Sequence, residues 1–170
     1  MKKWLVLILA FVLTFGLCAC EKNEYRHDLT SAQVMERVLS ALPSEQGYRE
    51  VTEQYINTST WGETCYELMD KVADYHIVVA QNSDENINEI GVFHVKDTGD
   101  MGALPAMVET FVVGQTLRYG DLRSSYNPRE LPKLDEAEVK VCGTYVFYSI
   151  LSDENTDRAQ DAFEDAVSLK

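Results

Sequence analysis

The amino-acid sequence predicts an α+β domain, with one antiparallel sheet built from two β-hairpins and helices packed on one face. Three observations carry that expectation. Two pairs of β-branched and aromatic runs, near 75–95 and 139–151, are each interrupted by turn-forming residues. Stretches with apolar residues three and four apart lie before, between and after those pairs. The resulting order, helices, hairpin, long helix, hairpin, helix, suits an antiparallel sheet rather than alternating parallel units. There is no internal repeat and no low-complexity segment.

The chain begins with Lys2 and Lys3, an apolar run from Trp4 to Leu17, and then Leu17-Cys18-Ala19-Cys20. A positive start, an apolar middle and a small residue before the cut describe a secretory signal peptide. The run is too short to span a bilayer, which takes roughly 20 apolar residues. Its end resembles the lipobox of bacterial lipoproteins, with Leu17, Ala19 and Cys20 in the matching places and Cys18 an unusual occupant between them. Acylation at Cys18 would leave bulky Leu17 at the cut, so Cys20 is the expected lipid-attachment residue. The resemblance implies a lipoprotein signal peptide at 1–19, a tether at 20–28 carrying lipidated Cys20, and a single domain at 29–170. It also implies the extracytoplasmic face of the cell membrane. Fully extended, residues 21–28 reach at most about 28 Å, so the domain is expected close to that membrane.

Each element has its own signature. Thr30 and Gln33 are spaced as a capping box, and Leu29 and Val34 as a hydrophobic staple. The helix they open places Val34, Val38 and Leu42 on one face and stops before Pro43. Residues 45–72 read as an interrupted helix, with Tyr48, Val51 and Tyr55 at helical spacing. Strands are expected at 75–81 and 87–95 around the turn chemistry of Asn82-Ser83-Asp84-Glu85-Asn86. A long helix then carries Leu104, Val108, Phe111, Gln115, Arg118 and Leu122 on one stripe, with Pro105 in its first turn. Pro128 and Pro132 mark a loop, and Val139-Lys140-Val141 pairs across Cys142-Gly143 with 144–151. That last strand is almost wholly apolar and is expected to be central. The closing helix, 153–170, turns Ala159, Ala162, Phe163 and Ala166 inward.

Charge and cysteine count narrow the function. The chain holds 28 acidic and 15 basic residues, a net charge of −13, and loss of Lys2 and Lys3 makes it −15. Such a body is repelled by phosphate backbones and anionic headgroups, which excludes nucleic acid as a partner and leaves membrane contact to the lipid anchor. With Cys18 removed and Cys20 acylated, Cys65 and Cys142 remain. Their spacing matches no zinc motif, and they are expected as free thiols on separate elements.

From about Ile87 onward the chain also resembles a family of small lipoproteins of Gram-positive, clostridial-type bacteria, defined only as a domain of unknown function. The likeness is carried by Ile90-Gly91-Val92-Phe93-His94-Val95-Lys96-Asp97, the helix after it and the loop around Tyr126. It continues through Val139-Lys140-Val141-Cys142-Gly143-Thr144-Tyr145-Val146 and the closing helix. It implies a location and a fold, and no reaction.

Candidate chemistry is sparse. Asp97-Thr98-Gly99 spells the aspartic-protease triplet, but that mechanism needs two such carboxylates and there is one copy. The sequence has no nucleophile elbow, zinc-protease motif, P-loop or dinucleotide fingerprint, so no cofactor is implied and the chain is not expected to be an enzyme. If Asn82 pairs with Asn88 across a five-residue loop, His76 faces His94, and two cross-strand imidazoles are candidate metal ligands. Tyr126, Tyr145 and Tyr148 are candidates for a binding surface. The expected function is a non-enzymatic, membrane-anchored domain that binds an envelope protein or component. The alternative is a ligand- or metal-capturing accessory domain for a membrane transporter, and a cell-envelope hydrolase comes last.

Overall fold

A computed structural model describes residues 24–44, 47–51, 71–82, 86–121 and 128–169. The signal segment, Cys20, Cys65 and Tyr126 lie outside them. Helix α1 (Ser31–Ala41) is followed by strands β1 (Tyr48–Glu50), β2 (Val72–Ala80) and β3 (Glu89–Val95). A 3-10 turn at Thr98–Gly102 leads into α2 (Leu104–Asp121), and the short α3 (Pro132–Asp135) precedes β4 (Glu138–Cys142) and β5 (Tyr145–Ile150). Helix α4 (Asp153–Val167) follows. The five strands form one antiparallel sheet in the order β1-β2-β3-β5-β4. The architecture is α+β. Among the described residues no helix is long and apolar enough to cross a membrane.

The start of α1 follows its local signals. Thr30 accepts from the Gln33 amide, the Gln33 side chain accepts from the Thr30 amide, and Leu29 joins Val34 in the core. Residues 48–50 are a correction to the helical reading, because Tyr48, Arg49 and Glu50 pair with Ala80, Val79 and Val78 as an edge strand. Tyr48 and Val51 do recur at helical spacing, but pairing with β2 prevails over a periodicity that short.

A second correction concerns the faces. Helices α1 and α4 cover one face, where Val78, Ile90, Val92, Tyr145 and Phe147 meet Val34, Val38 and Phe163. Helix α2 covers the other with Leu104, Val108 and Val112, against Ile77, Val79, Phe93, Val146 and Tyr148. Strand β5 is therefore buried at every position, as its unbroken apolar sequence requires when neither face meets water. On the α4 side Phe147 and Phe163 stack with ring centroids 4.9 Å apart. On the α2 side the Tyr148 ring lies across Gly91, and its hydroxyl donates to the buried Glu89 carboxylate at 2.6 Å.

Tyr145 and Tyr148 are thus core residues with no exposed area, which corrects their candidacy as a binding surface. Cys142 is a buried free thiol.

Phe147→Ala and Phe163→Ala should each destabilise by about 3–5 kcal/mol in denaturant melts, through lost burial and the cavity left behind. A Cβ at Gly91 would sit 2.1 Å from Tyr148 Cε1, so Gly91→Ala must displace a pinned ring and should destabilise by about 1–3 kcal/mol. His76→Ala, which removes a part-exposed imidazole beside the exposed Glu50 carboxylate, should stay within about 0.5 kcal/mol. A Phe163→Ala protein as stable as the wild type would refute the packing of α4 against β5.

Candidate functional site

A group of polar side chains gathers where β2 begins, β3 ends and β4 turns into β5. The local backbone explains why. A bulge between Val72 and Asp74 breaks the regular register, and from there Asp74 pairs with His94, Tyr75 with Phe93 and His76 with Val92. Bulges re-aim side chains in this way. The expected pairing of His76 with His94 is therefore corrected by two positions. Ala80 donates to the Asn88 carbonyl at 2.8 Å, which leaves 81–87 in the connection rather than five residues. Asn86 and Asn88 are held there by Lys133, whose ammonium reaches their side-chain oxygens at 3.1 and 2.6 Å and the Glu130 carboxylate at 2.5 Å. Contacts from 130–133 thus accompany a register that the hairpin's own residues leave open.

A two-residue shift keeps both imidazoles on one face but separates their partners. His76 Nδ1 lies 3.4 Å from Glu50, and His94 Nδ1 lies 3.4 Å from Asp74. Among the described residues no three His, Cys, Asp or Glu side chains stand together as metal ligands.

His94 instead belongs to a different group. Its ring stacks on Tyr145 with centroids 4.3 Å apart and planes 16° off parallel. The Asp74 carboxylate beside it also accepts the Ser31 amide at 2.5 Å, at the positive end of α1, so the carboxylate is held from two sides. Toward solvent lies a cavity of about 310 Å³ lined by His27, His94, Lys96, Asp97, Thr98 and Thr144. Asp97 caps the 3-10 turn, with one oxygen accepting from Gly99 N–H at 2.9 Å and from the Thr98 hydroxyl at 3.3 Å.

His27 comes from the segment read from sequence as tether. Residues 24–28 lie against the body: Arg26 donates to the Val167 carbonyl at 2.9 Å, and Leu169 donates to the Glu24 carbonyl at 2.8 Å. Tyr25 forms an antiparallel bridge with Ser168. His27 Nδ1 is hydrogen-bonded to Thr144 Oγ1 at 2.8 Å. The approach depends on Gly143, whose φ of +61° suits glycine and whose missing Cβ would lie 2.7 Å from Tyr25 Cβ. Beside His27, the Arg26 guanidinium binds Asp28 and holds its carboxyl down at about 2.

The parts of a nucleophilic triad are present but divided. Thr144 and His27 form a hydroxyl–imidazole pair, while the carboxylate next to His27, Asp28, turns to Arg26. Asp74 orients His94, whose ring faces Tyr145 rather than a bonded hydroxyl. An adjacent base can activate a hydroxyl, and a third group that orients the base strengthens the effect; here the orienting carboxylate and the hydroxyl–imidazole pair belong to different histidines. The cavity lining carries two imidazoles, an ammonium, a carboxylate and two hydroxyls, of which the Thr98 hydroxyl donates to Asp97.

Of these residues the sequence reasoning singled out His94 and, as a turn, Asp97-Thr98. His27, Asp74 and Thr144 went unrecognised. Asp74 is two positions from His76 and shares its strand face, which was the one available signal. No family model, curated protein or solved structure matches the chain.

Burial raises the Cys142 thiol above its ordinary 9.0, and the Tyr48 and Tyr145 hydroxyls above 10.0. Each group keeps its proton to higher pH in the fold than in the unfolded chain. Stability from these groups is therefore whole below about pH 9 and declines as pH climbs past 9–10. Urea midpoints at pH 8, 10 and 11 should fall in that order; identical midpoints would contradict the burial of these groups.

Proposed function

We propose that the chain is a membrane-anchored extracytoplasmic lipoprotein that works by binding rather than by catalysis, and that its ligand enters the His27–His94 cavity. In this reading residues 1–19 are a signal peptide, Cys20 carries the lipid, and the sheet is assembled from two hairpins, β2–β3 and β4–β5. The protein stands on the outer face of the cytoplasmic membrane and is akin to the small clostridial-type lipoproteins that its sequence resembles.

One observation carries the choice of a small ligand. A concave site brings His27 from the N-terminal segment together with His94 from β3. By contrast, the large apolar side chains exposed among the described residues are Val113 on α2, Val141 on β4 and Leu169 beyond the end of α4. Scattered single residues of that kind do not make a protein-docking patch. This favours ligand capture, as in an accessory domain beside a transporter, over capture of an envelope protein. The separate pairing of His76 with Glu50 and of His94 with Asp74 favours an organic or oxyanionic ligand over a metal.

Cys20→Ala should abolish acylation and leave an unprocessed precursor or a released protein, as judged by mass spectrometry and membrane fractionation. One acyl chain holds a protein only marginally, and two hold it firmly. A Cys20→Ala protein that still carries lipid and stays with the membrane at high salt would refute the anchor.

A further inference from the structure

We propose that the cavity binds the phosphate of a zwitterionic lipid headgroup, presented by the same membrane that holds the anchor. The source of the ligand rests on the lipid-anchor reading; the phosphate chemistry rests on the cavity alone.

Chain geometry sets the position. The docked segment begins at Glu24, whose carbonyl accepts from Leu169. Glu24 is four positions and His27 seven positions along the chain from Cys20, so they lie within about 14 Å and 25 Å of it, respectively. Bridging by Tyr25 and the His27–Thr144 bond keep that segment on the body rather than letting it act as a free stalk. The cavity wall is therefore within reach of the headgroup layer, and a ligand from that layer need not diffuse through the envelope.

The lining sets the chemistry. His27 and His94 each use Nδ1 in the contacts above and keep Nε2 for a ligand, around one opening that Lys96, Thr98 and Thr144 also line. Three carboxylates stand nearby and each has a partner: Asp28 pairs with Arg26, Asp97 accepts from Gly99 N–H and Thr98, and Asp74 is held by Ser31 N–H and His94. Charge-assisted hydrogen bonds to a phosphate oxygen from an imidazolium or ammonium are among the strong ones. The net charge, −15 once Lys2 and Lys3 are lost, works against an anionic lipid surface but leaves a zwitterionic headgroup unopposed at long range. A headgroup's amine would also meet the acidic surroundings of the site rather than repel them.

The test is a titration of the mature acylated protein in phosphate-free detergent, followed by the ring signals of its three histidines. The probes are dihexanoyl-phosphatidylethanolamine, glycerophosphoethanolamine and inorganic phosphate. Both headgroup probes should shift His27 and His94 and leave His76 unmoved. Thr144→Val, checked for an unchanged fold by circular dichroism, should weaken binding roughly tenfold or more, as expected for loss of a hydrogen bond to a charged group. His27→Gln should do the same. Absence of a shift with every probe, or unaltered binding in both variants, would overturn the site. Inorganic phosphate binding as tightly as the headgroup probes would overturn the lipid source and leave a free-phosphate site. The Cys20→Ala protein separates the two readings: it should still bind glycerophosphoethanolamine, and persistent acylation would fault the anchor without touching the cavity.

Discussion

Tyr145 is the side chain on which the arrangement of this domain depends. It is fully buried, and its hydroxyl donates to the Leu29 carbonyl at 2.7 Å while accepting the Leu29 amide at 3.2 Å. Leu29 is the residue before the cap of α1, so one phenol fixes how the chain enters its first helix. The other end of that contact is the sheet, because Tyr145 lies in β5 and pairs with both His94 and Cys142. Its ring is also the surface on which His94 stacks. The helix start, the central sheet and the candidate site therefore share a single anchor point, and a polar group buried there must keep its partners.

That arrangement explains why the site sits where it does. Asp74 reaches Ser31 because Tyr145 holds Leu29, two residues earlier, against the sheet. His94 is then confined between Asp74 and the Tyr145 ring. The segment before Leu29 can only run past the β4–β5 turn, where Gly143 lets Tyr25 and His27 approach and Thr144 receives the imidazole. The cavity thus forms at the end of the sheet where the N-terminal segment and the C-terminal residues 167–169 lie side by side.

Much of this was legible from residues close in sequence. The box formed by Thr30 and Gln33, the apolar run of β5 and the inward stripe of Ala159, Phe163 and Ala166 are local patterns, and each corresponds to what the structure contains. What escaped reading is set by distant partners. Residues 48–50 become a strand because β2 has an edge to fill. The pairing of Asp74 with His94 follows a bulge and a connection held by Lys133, which is more than 40 residues away. Helices on both faces could not be told from helices on one, since periodicity shows that a face is buried and not against what. His27 lay in a charged stretch that reads as linker, and only the glycine at 143 hints that something packs closely there.

The most direct test of this account is hydrogen exchange on a Tyr145→Phe protein, which retains the ring and removes the hydroxyl. The account predicts that the amides of Leu29 and Arg26 lose protection while β3 and α4 keep theirs, with a destabilisation of about 1–3 kcal/mol from the groups left unpaired. Unchanged protection at Leu29 and Arg26, or a uniform loss across the whole domain, would contradict the claim that this one hydroxyl holds the N-terminal segment and the site to the sheet.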